Sequence, residues 1–160
     1  MSQTTHDTLR EYILILQDLT AAAVSIAHAE EAKAAAVSAN RHEMLDDCIQ
    51  EEQALLLKLR GLEQHRIRLQ KDLGWDSLTL HQILDTASPE QVKVLEPVFQ
   101  KLDLHLRRLQ SAREAAEQIL KVRLHELKVF SEMNTSYDNG GNVSRNGAPQ
   151  GNNRIRNTYV

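Results

Sequence analysis

Seven histidines and a single cysteine are the side chains of this sequence best suited to chemistry, and their spacing argues against it. A zinc protease helix carries His-Glu-x-x-His, and a di-iron bundle carries Glu followed three residues later by His, because those intervals place the ligands on one helical face. Neither pattern occurs. His42 and Asp46 stand one turn apart, which suits an adventitious ion at most, and two solvent-facing polar groups are the simpler reading. Cys48 has no internal disulfide partner and falls on an apolar line, where burial keeps a thiol inert. Every glycine except Gly61 and Gly74 lies at or beyond position 140, so no phosphate-cradling loop can be drawn. No Ser-His-Asp arrangement can be argued from spacing either. The chain is expected to be non-catalytic and to carry no cofactor and no metal.

Binding of nucleic acid fails a similar test. Arg107, Arg108, Arg113, Lys121, Arg123 and Lys128 cluster late in the chain, but between Trp75 and Asn134 they are matched by Asp76, Asp85, Glu90, Glu96, Asp103, Glu114, Glu117, Glu126 and Glu132. No aromatic residues interleave with them, and the net charge of the whole chain is -3. No basic footprint results. Nor does any run reach the roughly 18 apolar residues expected of a membrane span, and the opening MSQTTHDTLREY lacks the parts of a signal peptide. A cytoplasmic protein is expected.

The elements that carry these residues read as helices. With 160 residues, 41% hydrophobic but only 4% aromatic, the core must be built from Leu, Ile, Val and Ala, which favours helix on helix. Alternating steps of three and four residues from Leu45 land on Cys48, Glu52, Leu55, Leu59, Leu62, Arg66, Leu69 and Leu73, a coiled-coil seam. Gly74 supplies the left-handed stop, and Trp75 is expected to fold back onto the last turn and close the bundle. Before this, a line through Leu9, Tyr12, Leu16, Leu19, Ala23, Ile26, Glu30, Ala34 and Val37 predicts a helix over 5–38, with Thr4 as its cap. Its second half is rich in alanine, which suits close packing against another helix, or a shallow groove for a foreign one. A turn near Asn40, with Asn40 capping the second helix, makes an antiparallel hairpin. The acidic start of the first helix (Asp7, Glu11, Asp18) then faces the basic end of the second.

Thr79 with Gln82 opens a short helix over about 80–86, and Ser88, Pro89 and Gln91 open a long one. The seam resumes at Val92, Leu95, Phe99, Leu102, Leu106 and Leu109, and degrades at Arg113 and Arg123. Pro97 predicts a kink or a restart. The fold class expected is all-α: an elongated antiparallel bundle of three long helices and one short one over 1–134, then a flexible Gly/Asn-rich tail over 135–160.

This order of helices, together with EEQALLLKLRGLEQHRIRLQKDLG (Glu51 to Gly74), the helix starts at Thr79 and Ser88, and Tyr137, Asp138 and Gly141, resembles the FlgN-like flagellar export chaperone family. The resemblance implies a cytoplasmic helical chaperone for type III flagellar export. It would bind the C-terminal amphipathic helices of hook-associated proteins and deliver them to the cytoplasmic domain of the export gate. On that reading the client contacts fall on the degraded seam, at Ile119, Leu120, Leu124, Leu127, Phe130 and Met133, and Tyr137 matches a tyrosine used in gate docking. Arg113 and Glu114 stand where members of that family often carry Asn. The alternative is a non-catalytic coiled-coil scaffold or adaptor that associates with its own copies through the same stripe, a possible homo-oligomer.

Overall fold

A computed structural model describes residues 3–140, with side chains as far as Asn134. The chain divides into two compact units, Met1–Arg123 and Leu124–Val160, and the last helix contributes to both. Four helices follow one another: α1 (Gln3–Ser38), α2 (His42–Asp72), α3 (Leu80–Thr86) and α4 (Pro89–Gly140). The fold is all-α, and the first unit is a helical bundle in which α1 and α4 run parallel and α2 antiparallel to both.

The seam of α2 is what α1 and α4 pack against. All of its stations from Leu45 to Leu73 are buried or partly buried, including Glu52 and Arg66. At one end of the bundle a single cluster joins Tyr12, Leu16 and Leu19 of α1, Leu69 of α2, Ile83 of α3, and Leu95, Phe99 and Leu102 of α4. Trp75 does fold into this cluster and is only 5% exposed, with its ring edge-on to Tyr12 at 6.0 Å between centroids. A smaller cluster of Ala23, Ile26 and Leu109 continues the core along the bundle.

The turns explain where the helices stop. After α2, Gly74 adopts φ 81, and the amides of Gly74 and Trp75 donate to the carbonyls of Lys71 and Gln70 at 3.0 and 2.9 Å. That is a Schellman cap. The same motif closes α1, with Asn40 at φ 55 and the amides of Asn40 and Arg41 donating to Val37 and Ala36 at 3.2 and 2.9 Å. Asn40 therefore terminates α1 rather than capping α2, whose N-cap is Arg41 without a side-chain hydrogen bond. Asparagine serves both purposes, and here its tolerance of the left-handed region is what the tight turn requires.

Two further expectations at helix ends change. Thr4 lies inside α1, where its carbonyl accepts from Thr8 Oγ1 at 2.8 Å, so it is not the cap. Pro97 neither ends nor restarts α4, which is one helix from Pro89 to Gly140. Pro97 leaves the Lys93 carbonyl without its helical donor, but both residues are exposed, so water can take the amide's place. The capping boxes at Thr79 and Ser88 are present as expected: Gln82 N donates to Thr79 Oγ1 at 3.2 Å, and Gln91 N to Ser88 Oγ at 3.3 Å.

Past Asn134, residues 135–140 continue α4, so the expected start of the tail at 135 is replaced by helix. The remainder of the expected tail, 141–160, lies outside the described residues. α1 also departs from expectation in its hydropathy. It contains an 18-residue window of mean hydropathy 1.4, long and apolar enough to cross a membrane, and half of that window is buried within the structure. The alanines that let neighbouring helices approach raise hydropathy without adding bulk.

Candidate functional site

The apolar line of α4 changes character along its length. Leu95, Phe99, Leu102, Leu109 and Ala116 are buried, whereas Ile119 and Leu120 are only partly covered. In the unit that begins at Leu124, the apolar residues are bare: Leu124 is 55% exposed, Leu127 56%, Phe130 64% and Met133 66%. At about 100° per residue, Leu124, Leu127 and Phe130 share an arc of roughly 120° on this helix. His125 and Glu132 fall on the opposite side, Lys128 borders Leu124, and Glu126 lies between Phe130 and Met133. Met133 lies beyond Phe130, next to Val129, and widens the apolar face. The segment is thus an amphipathic helix whose apolar face has no cover among the described residues. Tyr137 belongs to α4 and not to a tail, and its side chain lies outside the described residues.

A second feature was not foreseen as a unit. The apolar lines of α1, α2 and α4 are each interrupted by a charged residue: Glu30, Glu52 and Arg113. The bundle brings these three interruptions into one layer. Lys33 Nζ lies 2.9 Å from Glu30 Oε2 and 2.9 Å from Glu52 Oε2, and Arg113 Nε approaches Glu30 Oε1 at 3.7 Å. Glu30 is only 3% exposed. Burial, followed by a hydrogen bond shared with Glu52, pushes its carboxyl above the ordinary glutamate range despite Lys33. For Glu52, burial pushes upward, but hydrogen bonds from Glu30 and Lys33 and the charges of Lys33 and Arg113 outweigh it, so its pKa is lowered. Lys33 is held above its ordinary value: burial opposes its charge, and its two carboxylate partners prevail. The signal in the sequence was the matching break in each apolar line, and only the register of the helices shows that the breaks coincide.

Beside this layer, α1 and α4 leave an open cleft of about 480 Å³, with Glu31 and Ala34 on one wall and Leu104, Arg108, Ala112 and Ala115 on the other. The alanines of α1 thus divide between two roles. Ala22, Ala23, Ala29 and Ala36 are buried in close packing, while Ala34 lines the cleft.

At the other end, the side chain of Gln70 makes a full set of hydrogen bonds. Its Nε2 donates to the carbonyls of Trp75 and Leu78 at 2.9 and 2.8 Å, and its Oε1 accepts from Tyr12 Oη at 3.3 Å and from Arg66. Arg66 is in turn gripped by both oxygens of Glu63, at 2.6 and 2.9 Å. The acidic start of α1 meets α2 through Glu11 and His65, 3.1 Å apart, rather than through an Arg or Lys. Cys48 is buried with a free thiol, and among the described residues no three His, Cys, Asp or Glu side chains converge as a metal site would require.

Among the described residues, the arrangement leaves one segment of α4 with an uncovered apolar face. Compared with known proteins, the chain matches no family model, no curated protein and no solved structure.

Proposed function

We propose that this chain is a cytoplasmic type III flagellar export chaperone. It binds the C-terminal amphipathic helices of hook-associated proteins, keeps them from assembling early and presents them to the cytoplasmic domain of the export gate. The observation that carries the reading is the bare apolar face formed by Leu124, Leu127, Phe130 and Met133 on the segment of α4 past Arg123. An exposed face of this kind fits helix-in-groove recognition, in which apolar anchors at helical spacing are covered by a partner helix. Burying four or five such side chains contributes about 8 to 12 kcal/mol gross. Ordering a flexible client offsets much of this, which places the affinity between about micromolar and tens of nanomolar.

Sedimentation of the purified protein, alone and with the C-terminal segment of a hook-associated protein, tests the proposal. A one-to-one complex lost on Leu127→Asp supports it. A stable homodimer indifferent to the segment supports the self-associating scaffold instead. Tyr137→Ala is expected to spare client binding and to weaken binding to the gate domain, and loss of client binding would overturn that division of roles.

A further inference from the structure

The Glu30, Lys33, Glu52 and Arg113 layer stands where the apolar attachment of α4 to the hairpin thins. On the near side, Leu95, Phe99, Leu102 and Leu109 of α4 are all buried in the two apolar clusters. From Arg113 to Arg123, α4 contributes one fully buried side chain, Ala116, which is 1% exposed. This stretch also makes polar links: Arg113 to Glu30 at 3.7 Å, and a hydrogen bond from Arg123 to Asn40 Oδ1. The Arg113 side chain is 44% exposed, so its link is screened by water and salt. The hairpin beneath has links of its own in the backbone hydrogen bonds of the Asn40 turn and in Lys33 bridging Glu30 to Glu52.

We propose that Arg113 and Arg123 form a polar latch, and that the stretch of α4 between them opens away from the α1 and α2 hairpin as a unit while the core around Tyr12, Trp75 and Phe99 stays closed. Opening widens the cleft between Ala34 and Ala115 and uncovers Ala116, Ile119 and Leu120. The use of the uncovered surface by a client helix rests on the function proposed above, but the opening itself does not. A stretch held by few apolar contacts opens at lower free energy than the rest of the molecule, and this one is held in part by an ion pair whose charge can be reversed.

Pulsed EPR between spin labels at Ala34→Cys and Ala115→Cys, in a Cys48→Ala background, measures the cleft directly. Combining Arg113→Glu with Arg123→Glu is expected to raise the long-distance population about fivefold, whereas Arg113→Lys leaves it unchanged. Fluorescence of Trp75, the one tryptophan, reports the core in the same samples. Unaltered distances in the double glutamate variant, or a Trp75 shift in step with them, would overturn the latch. Hydrogen exchange of the unmutated chain gives a second measurement. In about 1 M NaCl, where screening reaches ~3 Å, amides 113–123 are expected to exchange about fivefold faster while those of 12–19 do not. Equal acceleration at both, or at neither, counts against the proposal.

Discussion

Gln70 shows how much one off-seam polar residue can decide. It is 4% exposed, and it donates to the carbonyl of Leu78 and to that of Trp75, which also accepts from Leu78 N at 3.2 Å. Gln70→Leu is expected to cost about 1 to 3 kcal/mol, because the partly buried Leu78 carbonyl loses this donor and the buried Tyr12 hydroxyl loses this acceptor. Urea unfolding followed by Trp75 fluorescence measures it, and a change under about 0.5 kcal/mol would show that water replaces the amide. Glu30 and Glu52 give a second prediction at this scale, concerning pH. Glu30 titrates above the unfolded value of 4.5, so its contribution is complete below that pH and is lost as pH rises through its folded pKa. Glu52 titrates below 4.5, so its contribution is present above that pH and is lost as pH falls through its folded pKa. The two slopes oppose, and their sum favours mildly acidic conditions. Unfolding of Glu30→Gln at pH 5 and pH 7 is expected to show a smaller loss between the two than the unmutated chain. Neither effect was legible in the sequence. A glutamate on an apolar line reads as a flaw until the register shows that Lys33 lies 2.9 Å away.

At the scale of elements, helix ends decide the architecture. Gly74 holds φ 81 with open space where a Cβ would stand, so Gly74→Ala meets backbone strain and no clash. It is expected to cost about 1 kcal/mol. Ser88→Ala removes the hydrogen bond from Gln91 N and is expected to cost a similar ~1 kcal/mol. Thermal or urea melts of the two variants check both, and the double variant should be additive because the sites share no partner. These ends were legible, since glycine after a seam and Ser-Pro-x-Gln each fit one local geometry. The seam of α2 was legible for the same reason: a period of three and four fixes which side turns inward, and even Glu52 and Arg66 follow it. Asn40 was not, because asparagine suits both an N-cap and a left-handed C-terminal position, and the choice depends on how the two helices meet. At Pro97 the sequence left a kink and a restart both open, and α4 runs through it without a restart, where Lys93 and Pro97 are both exposed.

Across the whole molecule, stability and the proposed binding draw on different residues of the same helix, and this separation can be measured. Phe99 is 4% exposed and packs edge-on to Tyr12 at 6.4 Å, so Phe99→Ala is expected to cost about 3 to 5 kcal/mol. Leu124, Leu127 and Phe130 are each more than half exposed, so replacing all three with serine is expected to change stability by no more than about 1 kcal/mol in total. If the bare face receives a client helix, the same triple variant loses most of the apolar area that drives association, and its affinity falls by a factor of about a hundred or more. The milder core variant Phe99→Leu keeps that affinity at temperatures where it remains folded. Calorimetric melts alongside titration with the client segment separate the two properties. A triple serine variant that melts early would place these leucines in a core that forms only on self-association. One that neither melts early nor loses the client would leave the bare face without the role assigned to it.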